Sequence, residues 1–65
     1  MERQEAQQMA VRAIEKAQDG EATPVYGTVY VILQGSTYSV MDNGEEASGL
    51  SEEAAIAAIV EDLTN

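Results

Sequence analysis

Sixty-five residues with a formal net charge of −9, no cysteine and no histidine exclude disulfide staples, thiolate nucleophiles and zinc sites of the usual imidazole or thiolate type. The chain makes one domain at most. Its core is thin: thirteen Val, Ile and Leu, no Phe or Trp, and ten alanines, a composition that gains from oligomerisation.

The placement of charge says more than its size. Residues 1–18 balance Glu2, Glu5 and Glu15 against Arg3, Arg12 and Lys16, whereas residues 19–65 hold nine acids and no basic group. Such a surface repels nucleic acid and anionic lipid and attracts basic partners, so direct nucleic-acid binding is not expected. No apolar run approaches the ~20 residues of a membrane span. The start, MERQEAQQ, has neither the basic flank nor the apolar stretch of a signal peptide. The expected setting is therefore soluble and cytoplasmic, away from membranes.

Taken in order, residues 2–18 predict a helix, because Ala6, Met9, Ala10, Ala13, Ile14 and Ala17 recur on one face at 3.6 residues per turn. Gly20 suits the left-handed position beyond its end, and Pro24 stops any continuation. Residues 25–34 and 37–42 predict a hairpin about Gly35-Ser36, with glycine first as a type II′ turn requires. That register pairs Gln34 with Thr37 and Tyr30 with Met41. Alternation then places Val25, Val29, Val31, Leu33, Tyr38 and Val40 on one face, and Tyr26, Thr28, Tyr30, Ile32, Ser39 and Met41 on the other. Gly27 is a soft point in the long first strand.

Asn43-Gly44 is a strong type I′ turn sequence and predicts a short acidic third strand, 45–48, leaving the long first strand as the open edge. Ser51 is a suitable N-cap for a helix over 51–63, with Glu52 and Glu53 favoured in its first turn. Glu61 and Asp62 oppose the dipole at its far end and predict fraying from about Asp62. The expected fold is α+β, in the order α-β-β-β-α: an antiparallel three-stranded meander with two flanking helices.

Chemistry finds little to use. The serines lack a base partner, and in Glu45/Glu46 and Glu52/Glu53 the adjacent side chains diverge, so neither pair is a general acid/base dyad. Asp42-Asn43-Gly44-Glu45-Glu46 misses calcium-loop spacing, since glycine comes third and not sixth. No enzyme, cofactor or metal is expected. The acidic surface has three readings: solubility, adaptation to high salt, and mimicry in which carboxylates stand in for phosphates. Tyr26, Tyr30, Ile32 and Met41 form a second feature, a large apolar set of the types favoured at interfaces.

Together these predict a non-enzymatic protein-binding module. Tyr26, Tyr30, Ile32 and Met41 would anchor a basic protein partner, and Asp42, Glu45, Glu46, Glu52 and Glu53 would steer it. In size and acidity the chain is comparable to small phage-encoded inhibitors of nucleic-acid-handling proteins, an analogy of composition and not of motif. The rival expectation is a structural homodimer that buries the same apolar set and whose acidity serves only solubility or salt adaptation.

Overall fold

The computed structural model describes residues 1–65. Helix α1 spans Arg3–Lys16 and tightens into a 3-10 turn over Ala17–Asp19. Strands β1 (Thr23–Tyr26), β2 (Val29–Gln34), β3 (Thr37–Asp42) and β4 (Glu45–Leu50) follow, and α2 (Glu52–Thr64) completes the chain. The strands form one antiparallel meander in the order β1-β2-β3-β4. The α+β class is as the sequence predicts; the sheet has four strands, not three.

The difference arises at Gly27. What periodicity presents as one strand over 25–34 is two, folded back at Gly27-Thr28, with Gly27 at φ 59°. The strand-forming Val25-Tyr26 and Val29-Tyr30 on either side conceal a two-residue turn, because glycine first is all that the turn chemistry demands. The long first strand is therefore not an edge: β2 lies inside the sheet, between β1 and β3. The last strand also runs two residues beyond 45–48, to Leu50, which pairs with Tyr38.

The other turns follow their residues. Gly35 has φ 68° at its turn, and Asn43 and Gly44, at φ 52° and 89°, supply the two positive angles of a type I′ turn. The β2–β3 register runs unbroken from Gln34↔Thr37 through Tyr30↔Met41 to Val29↔Asp42. Gly20, at φ 86°, ends the first helical segment.

Both helices lie on the same face of the sheet. Ala6, Ala10, Ala13, Ile14 and Ala17 from the N-terminal segment join Ala55, Ile59, Val60 and Leu63 of α2 in one core with Val29, Val31, Tyr38 and Val40. Helix α1 packs on α2, β1 and β2, and α2 meets the sheet mainly at β3. The four buried alanines of this stripe let the backbones approach closely and bury little area each. Tyr38 supplies the bulk that alanine lacks, and its hydroxyl is met by Gln18 Nε2 at 2.6 Å. No buried side-chain polar atom lacks a partner. No helix is long and apolar enough to cross a membrane.

Candidate functional site

With both helices on one face, the opposite face of the sheet has no covering layer. Its central row is set by register: Pro24 opposite Tyr30, Tyr30 opposite Met41, and Met41 opposite Glu46. The next row pairs Ile32 with Ser39. Tyr30 is 42% exposed, while Ile32 and Met41 are half-buried by their neighbours within the sheet. Ser39 is buried despite lying on this open face, its hydroxyl donating to Gln34 Oε1 at 3.0 Å. The result is a shallow apolar surface with a ridge at Tyr30.

Tyr26 is not part of that row. The β1–β2 pairing shifts by one residue between Pro24 and Tyr26, which brings Tyr26 opposite Val29 at the corner of the sheet. Strict alternation along one strand placed it beside Tyr30; the turn at Gly27 and this bulge remove it, and it stands 57% exposed. The apolar set is therefore Tyr30, Ile32 and Met41, with Pro24 at its margin.

The carboxylates separate into two groups. Asp42 ends β3, Glu45 and Glu46 begin β4, and Glu61 and Asp62 lie in the last turns of α2; these five line one cleft with Val40, Ala47 and Ala58. Thr28 Oγ1 donates to Asp42 Oδ1 at 2.6 Å, tying the Gly27 turn to this end of the sheet. Burial pushes the Asp62 carboxyl above its ordinary value, and the charges of Asp42, Glu61 and Glu45 push it further the same way. The negative end of the helix dipole falls here too. Despite it, α2 extends to Thr64, whose hydroxyl donates to the Val60 carbonyl at 2.8 Å.

Glu52 and Glu53 lie at the other end of α2. Ser51 caps that end, accepting from the Ala54 N–H at 3.1 Å, and the positive end of the dipole offsets both carboxylates. From Glu52 to Glu61 the helix rises about 14 Å, beyond the Debye length of about 8 Å at physiological ionic strength. The two groups thus act separately. Glu61 and Asp62 belong with the acidic end. The sequence places them in the one-signed run 42–62. That they join Asp42, Glu45 and Glu46 while Glu52 and Glu53 do not follows only from the path of α2 back towards the Asn43-Gly44 turn.

Both sheet edges are obstructed. Edge strand β1 carries Pro24 and the Val25 bulge, and edge strand β4 starts with Glu45 and Glu46 and is bulged where Gly49 takes φ 69°. Proline, charge and bulges are the usual means of discouraging edge pairing. The chain matches no protein-family model, no curated protein and no solved structure.

Proposed function

We propose that the protein is a small, acidic, non-enzymatic binding module that occupies a basic surface on a nucleic-acid-handling protein, its carboxylates standing where phosphates would. The observation that carries this reading is the junction of an uncovered apolar face with a one-signed acidic end: Glu46 shares a row with Met41 and Tyr30 and also lines the cleft with Asp42, Glu45, Glu61 and Asp62. Apolar contact supplies affinity, and charge supplies orientation and encounter rate. Duplex DNA carries one charge per ~1.7 Å of axis, so five carboxylates carry as much charge as a short stretch of backbone. The mimicry is local, aimed at a few cationic side chains.

A homodimer through the same apolar face is the alternative. The thin core favours it, and the repulsion between two chains of −9 opposes it.

The deciding experiment is affinity capture from native cell extract, with parallel samples eluted by a salt step or by added duplex DNA. The expected eluate is a basic nucleic-acid-binding protein released by either treatment. Retention unchanged in molar salt would overturn the electrostatic reading.

A further inference from the structure

The open sheet face allows a more specific statement about the partner, which rests on the proposed binding function. We propose that this face takes a cationic amphipathic helix, laid across β2 and β3 as a third layer, with its apolar stripe on Tyr30, Ile32 and Met41 and its Lys or Arg flank towards Glu46 and the acidic end.

Three observations select that occupant. First, both edges are obstructed by Pro24, the two bulges and Glu45-Glu46, which discourages a partner strand from extending the sheet by backbone hydrogen bonds. Recognition passes to side chains on the face. Second, the face has the dimensions for a helix. Four strands ~4.8 Å apart span about 14 Å between outer strands, and a helix with side chains is about 10 Å across. Beside Ile32 the buried Ser39 donates to Gln34 Oε1, so Gln34 borders the apolar surface on that side and leaves Tyr30, Ile32 and Met41 as its contact residues. The same sheet already accepts two helices on its other side. Third, charge chooses the sign of the partner. No basic residue occurs after Lys16, and Glu46 lies in the row of the apolar anchor. A second copy would bring its own carboxylates to the contact, whereas Lys or Arg would be attracted, with Tyr30 also offering a ring face to a cation.

The test uses the full chain and two synthetic 14-residue peptides of identical Leu/Lys composition. In one the leucines follow i, i+3, i+4, i+7 spacing; in the other they are distributed around the helix. Amide shifts are followed by NMR at 0.15 M NaCl. The amphipathic peptide should bind at least tenfold more tightly, with the shifts centred on Tyr30, Ile32, Met41 and Glu46. Tyr30→Ser and, separately, Ile32→Ser should each weaken it at least tenfold and leave the scrambled peptide unchanged, while Tyr30→Phe should retain binding. The wild-type footprint decides the matter even where a serine variant folds poorly.

Equal affinity for the two peptides, or shifts centred on Glu61 and Asp62, would overturn the helix-docking inference and leave the broader acidic-module reading standing. Failure of both peptides to bind would remove both. Concentration-dependent broadening of the Tyr30, Ile32 and Met41 amides in the free protein would assign the face to a second copy and overturn the inference.

Discussion

Ser51 and Asp62 stand at opposite ends of α2 and have opposite effects on it. The Ser51 hydroxyl accepts from the Ala54 N–H, satisfying one of the donors that a helix start leaves free. Ser51→Ala should cost about 1 kcal/mol, read as a lower urea midpoint with unchanged slope. Asp62 acts the other way. Its carboxyl titrates above the ordinary value of 3.8 because of burial and then Asp42, Glu61 and Glu45. The stability linked to its proton is complete below that ordinary value and is lost as pH rises through the raised one. Asp62→Asn should therefore stabilise at pH 7 by a few tenths of a kcal/mol, the scale of exposed charge interactions. The gain should vanish at pH 3, where wild type and variant are both neutral at this position. A variant equally stabilised at both pH values would place the effect in packing and not in charge.

At the scale of elements, legibility tracked how local the determinant is. Both helices, the Gly35 and Asn43-Gly44 turns and the β2–β3 register depend on neighbours within a few residues, and they are readable. The Gly27 turn is equally local, yet Val25-Tyr26 and Val29-Tyr30 look continuous across it, and hydrophobic alternation outweighed one glycine. Continuity across Gly27 puts Tyr26 in the row of Tyr30 and makes the interior strand β2 an edge, neither of which the fold shows. Alternation marks the face of Val29, Val31, Tyr38 and Val40 as the one to be covered, and both helices lie there. That neither helix takes the other face is not readable, because it depends on how α1 and α2 pack against each other.

The turns also give a clean backbone measurement. At Gly44, φ is 89° and an added Cβ would meet nothing within 4 Å. Gly44→Ala should thus lose about 1–2 kcal/mol from left-handed backbone strain alone. Thermal unfolding of that variant beside Ser36→Ala, where φ is not positive, separates strain from the mere change of a turn residue; equal midpoints would contradict the type I′ geometry.

For the whole molecule the governing quantity is how far charge reaches. The Cα envelope measures 31 × 23 × 17 Å. At 0.01 M salt the Debye length is about 30 Å, so every carboxylate feels every other; at 0.15 M it is about 8 Å, and only those within the acidic end still interact appreciably. Self-repulsion destabilises a compact state of high net charge, and nine acids without a cation in residues 19–65 provide little attraction for salt to weaken. Added NaCl should accordingly raise the unfolding midpoint, most of the gain coming between 0.01 and 0.15 M and little beyond. The residual repulsion is the short-range part among Asp42, Glu45, Glu61 and Asp62, so Asp62→Asn should still stabilise at 0.15 M while the variant shows a smaller salt response overall. Sodium chloride and sodium sulfate matched for ionic strength separate screening from general exclusion of salt from the surface. If chloride has no effect and sulfate stabilises steadily to molar concentration, charge is not what limits this fold. The same screening weakens a cationic partner's approach, so the salt range that steadies the free protein is the one in which association through the acidic end should slow.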